Sequence, residues 1–259
     1  MTIYQAIASY IDLRTNVLSP STKREYSNTL KWYFGDIGKI PLSEVNNQII
    51  QKWINDLSYE RSPKTVKNIW SLLHATLAEY TPDNHYRVHI PKKRRTRITI
   101  PSEQEVSTLI HTCESEDLRI AIILASCMGL RRSEICALKW SDIKKDKYLV
   151  IDKAAVMNDQ YKIIIKEPKT LSSDRILEIP PQVNKYLSYV RLTRSPKSDS
   201  LLVHFRPDQL THLFCKHKKN HGVDCRFHDL RHYYASVLVA LNIPDLYAME
   251  MMGHSTPGM

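Results

Sequence analysis

Residues 226–254 read RFHDLRHYYASVLVALNIPDLYAMEMMGH, and this stretch decides how the C-terminal half of the chain is understood. Apolar residues recur at helical spacing through HDLRHYYASVLVAL and again through PDLYAMEMM. His228 and Arg231 stand three apart and therefore share a helix face. Gly253 and His254 close the second helix, and Ser255-Thr256-Pro257-Gly258 start a turn. A plain core has little use for this much charge on apolar helices.

Two other segments share the character. ASCMGLRRSEICALKWSDI (125–143) follows an apolar helix and a glycine with two arginines and Glu134. KEPKTLSSDRILEI (166–179) places Lys169 at a tip between two strands. Outward from these, KYLVID, VMNDQYKIIIKEP and DRILEIP are rich in β-branched residues, which predicts a small antiparallel sheet among helices. PQVNKYLSYVRL and RPDQLTHLFCKHKK read as further helices, and Ser102 with Glu105 forms a capping box at the start of the region.

The N-terminal part reads as four helices. Ile3, Ile7 and Ile11 mark the first, and Tyr26, Leu30 and Tyr33/Phe34 mark the second. The third is expected to start at Ser43 and to carry Ile49, Ile50, Trp53, Ile54 and Leu57. Ser62 caps the fourth, with Pro63 in its first turn and a stripe of Val66, Ile69, Trp70, Leu73 and Leu77. Its Trp and Tyr residues are expected in the core of a small bundle.

Bulk properties narrow the function. The 259 residues suffice for two modest domains. No apolar run reaches membrane-span length, no secretory signal opens the chain, and five cysteines lack a CxxC pair. A cytoplasmic protein with reduced thiols and no membrane partner is expected. The net charge of +10 points to a polyanion, with nucleic acid first. Half the surplus lies in PKKRRTRITI, whose Lys92, Lys93, Arg94, Arg95 and Arg97 stand between Pro91 and Pro101. The expected organisation is a helical domain at 1–90, a basic interdomain linker in contact with nucleic acid at 91–101 and a mainly α domain with a minor sheet at 102–259. Cys215, His217, His221, Cys225 and His228 lie close in sequence, but their spacing fits no usual zinc pattern, so no metal is expected.

The three charged segments together resemble the tyrosine recombinase, or phage integrase, family. The carriers are Gly129-Leu130-Arg131-Arg132-Ser133-Glu134, Lys169 in PKTLSSDRILEIP, His228-Asp229-Leu230-Arg231, and Gly253-His254, in the family's order. The resemblance implies a helical core-binding (SAM-like) domain followed by an integrase-type catalytic domain. It implies site-specific cutting and rejoining of DNA through a 3′-phosphotyrosyl link, in the integration or excision of a mobile element. Arg131 and Arg231 would clamp the phosphate, His228 and His254 would add hydrogen bonds and help with the tyrosine proton, and Lys169 would protonate the departing 5′-oxygen. Arg132 rivals Arg131, and Lys162 and Lys166 rival Lys169, while Glu134 and Asp142 read as braces. No metal or nucleotide cofactor is implied. Double-stranded DNA is the implied partner, with a homotetramer on paired sites and an accessory DNA-bending protein. The family's nucleophilic tyrosine is expected about nine or ten residues past His254, and only five follow here. The expectation is that this chain binds DNA without cleaving it. Alternatives are a non-catalytic DNA-binding regulator or accessory protein, and a topoisomerase-like enzyme.

Overall fold

The computed structural model describes residues 1–92, 99–166 and 174–253. The chain forms two compact units, residues 1–97 with 157–162, and residues 98–156 with 163–259.

The first unit holds α1 (Ile3–Leu13), α2 (Pro20–Tyr33), α3 (Asn47–Glu60) and α4 (Pro63–Tyr80). Each start has a local cause. Thr2 and Gln5 form a capping box on α1, Ser19 and Ser62 accept from the first-turn amides of Thr22 in α2 and Thr65 in α4, and Pro20 and Pro63 take first-turn positions. The third helix starts later than Ser43. Asn46 caps it, its Oδ1 accepting from Gln48 and Ile49 amides at 3.0 Å each, while Leu42–Glu44 form a separate 3₁₀ turn. Ile3, Ile7, Phe34, Ile50, Ile54, Val66, Leu73 and Leu77 are buried together. The aromatic residues divide, contrary to the expectation that they are all core: Trp70 is buried, but Trp32 is 70% and Tyr59 89% exposed. Leu30 and Phe34, one helical turn apart, take the inward face of α2, which turns Trp32 outward. Along α3, Asn47 accepts from the Arg87 amide at 2.9 Å and Gln51 exchanges two hydrogen bonds with the His89 backbone.

The second unit opens with α5 (Glu103–His111), whose Ser102–Glu105 capping box forms as the sequence predicts. Next comes α6 (Glu116–Met128), with buried residues all around its circumference, as befits a central helix. The short α7 (Arg132–Ile135) leads to β1 (Ile143–Lys144), β2 (Tyr148–Ile151), β3 (Ala154–Met157), β4 (Ile163–Lys166) and β5 (Arg175–Glu178). Instead of one sheet there are two: an antiparallel β1-β2-β5 sheet and a β3-β4 pair. Ile151 pairs with Arg175 and Tyr148 with Glu178. On β5 burial alternates, with Arg175 and Leu177 inward and Ile176 and Glu178 outward. The unit ends with α8 (Pro181–Arg194), α9 (Pro207–Asn220), α10 (Asp229–Ala240) and α11 (Asp245–Met252). Helix α10 packs on α6, and α11 lies against α10 and β5. Among the described residues no helix is long and apolar enough to cross a membrane.

Candidate active site

The site is assembled where α6 stops. Gly129 caps α6 in the left-handed region at φ 67°, and its missing side chain is filled by the ring of Tyr234 from α10. Past this turn Leu130 is buried and Arg131 is extended.

Glu134, one turn into α7, is the hub. Its Oε2 accepts the Arg131 amide at 2.8 Å and Arg175 Nη2 at 3.0 Å. Its Oε1 accepts Arg131 Nη1 at 2.7 Å and Arg175 Nη1 at 3.2 Å. Burial alone pushes this carboxyl up, but the hydrogen bonds and charge of Arg175, then the bonds from Arg131, hold it below the usual carboxylate range. Glu134 is therefore a buried anion with saturated acceptors.

The C-terminus of α11 closes the cage. Helix ends leave carbonyls without intrahelical partners, and these carry the negative end of the helix dipole. Here three consecutive carbonyls each take a guanidinium. Arg175 Nε donates to Met251 at 2.9 Å, Arg231 Nη2 donates to Met252, and Arg131 Nη2 donates to Gly253 at 2.6 Å. Arg231 also donates through Nη1 to the Gly129 carbonyl. Arg231 is 2% exposed, and burial first, then the charge of Arg131, pushes its guanidinium down to about 9. The two arginines singled out from the sequence thus lie side by side. The Arg131 side chain is 31% exposed, so part of it meets solvent.

His228 is the residue before α10, on a turn held by Asp229, whose carboxylate accepts from the Arg226 amide at 2.7 Å and its Nη2 at 2.7 Å. The His228 ring lies edge-on to His232 with centroids 5.0 Å apart. Part of it reaches solvent, yet desolvation by packed neighbours pushes its pKa down, and His232 and Arg231 add to this. Arg132, the rival of Arg131, turns away to Thr211. Asp142 caps the Lys139 amide at 2.7 Å and pairs with Lys153 at 2.6 Å, apart from the cage. Of the linker cations only Lys92 is described, and it is exposed. Lys93, Arg94, Arg95, Arg97, Lys169 and His254 lie outside the described residues. Among the described residues no group of three or more His, Cys, Asp or Glu could hold a metal. His217 hydrogen-bonds the Leu109 carbonyl at 2.9 Å, and burial pushes the Cys225 thiol up to about 11.

Arg175 escaped the sequence reading. The signal available was a charge at the inward register of β5, two residues before the buried Leu177.

A family model described as the Phage integrase family matches residues 100–259. The tyrosine recombinase XerC-like protein of Caldanaerobacter subterraneus subsp. tengcongensis is 26% identical over 282 residues, spanning 91% of this chain and 71% of that protein. The solved Tn1549 transposon integrase in complex with transposon right end DNA matches with a TM-score of 0.80 at 19% identity, over 99% of this chain and 92% of that one. A lambda integrase tetramer bound to a Holliday junction matches with a TM-score of 0.77 at 19% identity, over 100% and 76%. The structural likeness is one of fold.

Proposed function

The chain belongs to the phage integrase family, and from that premise we propose that it is a site-specific tyrosine recombinase acting on duplex DNA. In the step assigned to it, a tyrosine hydroxyl gives up its proton with help from His228 and His254, its oxygen attacks a backbone phosphorus, and the bond to the 5′-oxygen breaks. The departing oxygen takes a proton, and a 5′-hydroxyl from a second strand reverses the step. The bond energy is conserved in the phosphotyrosyl link, so no cofactor is consumed.

The reading is supported above all by two guanidiniums, from the start of α7 and from α10, placed side by side although 100 residues separate them. Two like charges this close, one of them buried, repel each other. An anion between them relieves that repulsion, most of all when the phosphate oxygens gain charge in the five-coordinate transition state. Arg131 and Arg231 are assigned as the phosphate clamp. His228, neutral near pH 7 because its pKa is lowered, is assigned a hydrogen-bonding role toward phosphate or tyrosine. Lys169 is assigned as proton donor to the 5′-oxygen and His254 as a further phosphate contact. Lys92, Lys93, Arg94, Arg95 and Arg97 are assigned to the DNA backbone. Residues 1–90 are assigned as a core-DNA-binding domain, 91–101 as its linker and 102–259 as the catalytic domain. A homotetramer on paired sites follows from the need for two coupled strand exchanges, a cytoplasmic location from the DNA substrate, and an accessory bending protein remains part of the proposal.

The test uses the gene's full product and a nicked duplex carrying its target site. Covalent 3′-phosphotyrosyl adduct is the expected result, and R131A should lower its rate by about 10²–10³-fold, as loss of one oxyanion donor does elsewhere. DNA binding without any adduct would favour the regulator reading instead.

A further inference from the structure

Three of the hydrogen bonds in the cage come from a residue that is almost wholly buried. Arg175 is 6% exposed, stands at the first position of β5, and spends its fork on both oxygens of Glu134 and its Nε on the Met251 carbonyl. Arg131 binds the same two partners, the Glu134 carboxylate and the end of α11, two carbonyls further on. We propose that Arg175 is a positioning residue that, through the Glu134 carboxylate and the Met251 carbonyl, fixes the orientation of the Arg131 guanidinium and of the α11 terminus as one rigid unit. The importance of Arg131's orientation rests on the recombinase reading, but the locking itself does not.

The physical reason lies in the geometry of the carboxylate. A carboxylate offers about four lone-pair directions and turns freely about its terminal bond. Arg131 alone supplies one amide and one guanidinium nitrogen, both from a single short loop. The planar fork of Arg175 meets both oxygens from the opposite element and pins the carboxylate plane. Arg131 then receives a fixed acceptor at Oε1, and its second nitrogen falls on Gly253. The same fork ties β5 to α11, because Nε of Arg175 holds the carbonyl two residues before Gly253. A lysine at 175 keeps charge and most of the volume but cannot bridge both oxygens and a carbonyl in one plane.

The experiment is side-chain NMR of the arginine guanidiniums in the DNA-free full chain, with the Arg131 signals identified by their loss in R131K. In the wild type, hindered rotation should resolve the Arg131 Nη resonances. In R175K they should average, with circular dichroism reporting an intact fold. E134Q, which keeps the shape of the hub, is the second variant should R175K fail to fold, and the same averaging is expected. Unchanged Arg131 resonances in a folded R175K or E134Q overturn the proposal. The nicked-duplex assay gives a second readout. R175K should slow adduct formation at saturating DNA by about 10–100-fold, with the half-saturating DNA concentration nearly unchanged. It should add little when built on R131K, whereas a full further loss there would mean that Arg175 acts elsewhere and would sink the idea. A wild type that forms no adduct counts against recombination only, and the NMR result still decides the role of Arg175.

Discussion

At Gly129 the backbone is left-handed, and a Cβ would stand 2.4 Å from Cδ1 of Tyr234. Replacing Gly129 by alanine should cost about 1–3 kcal/mol from the backbone conformation alone, before the clash is counted. Urea unfolding followed by circular dichroism reads the loss directly. Glu134 carries a different liability. Removing it leaves the buried Arg175 guanidinium without that counter-charge, so E134A should destabilise by about 3–5 kcal/mol, while replacing the whole pair with apolar residues should cost far less. Its ionisation also sets an acid limit. The folded pKa lies below the unfolded one, so this stability is complete above the unfolded value of about 4.3 and is lost as pH falls through the folded value. His228 acts in a higher window. Its folded pKa is lowered, so the unfolded chain holds the proton more tightly, and stability falls as pH drops from about 6.5 toward the folded value. Melting temperature measured from pH 8 to 3 should therefore decline in two stages. H228Q should flatten the upper stage and leave the lower one intact.

Among elements, α6 carries the second unit. Leu124 is fully buried in its middle, and L124A should cost about 2–5 kcal/mol through lost burial and the cavity left behind. Helices of this kind were legible because their signals are local. Ser62 followed by Pro63, or Ser102 followed by Glu105, marks a start without reference to anything distant, and apolar spacing does the rest. The start of α3 was misplaced for the same reason: Ser43 and Asn46 are both competent caps, and only the separate 3₁₀ turn at Leu42–Glu44 decides between them. The division of the strands into two sheets was not legible, since hydrophobic pattern marks a strand but not its neighbour. Arg175 is the plainest case. Whether an arginine on a strand is solvated or buried depends on Glu134, 41 residues earlier, and on the end of α11, 76 residues later. Arg131, Arg231 and His228 could be named because the motif fixes their order, but that both arginines reach carbonyls at the end of α11 could not.

On the scale of the whole molecule, charge is the coarse variable. Affinity for duplex DNA should fall steeply with salt, and each linker cation that neutralises a phosphate should contribute about 0.9 to the log–log slope. Replacing Lys92 and Arg94 together by glutamine should flatten that slope by nearly two, as read by fluorescence anisotropy between low and moderate salt. A slope that does not change would place the contacts elsewhere. The arginine cage has a further implication at this scale. Its guanidiniums are held by one carboxylate and by carbonyls that the polypeptide itself supplies, so the cage is assembled without nucleic acid. Integrity of the scaffold and ability to cut are separate properties. A substitution that removes a reacting group without touching the Glu134 hub should therefore leave the domain folded.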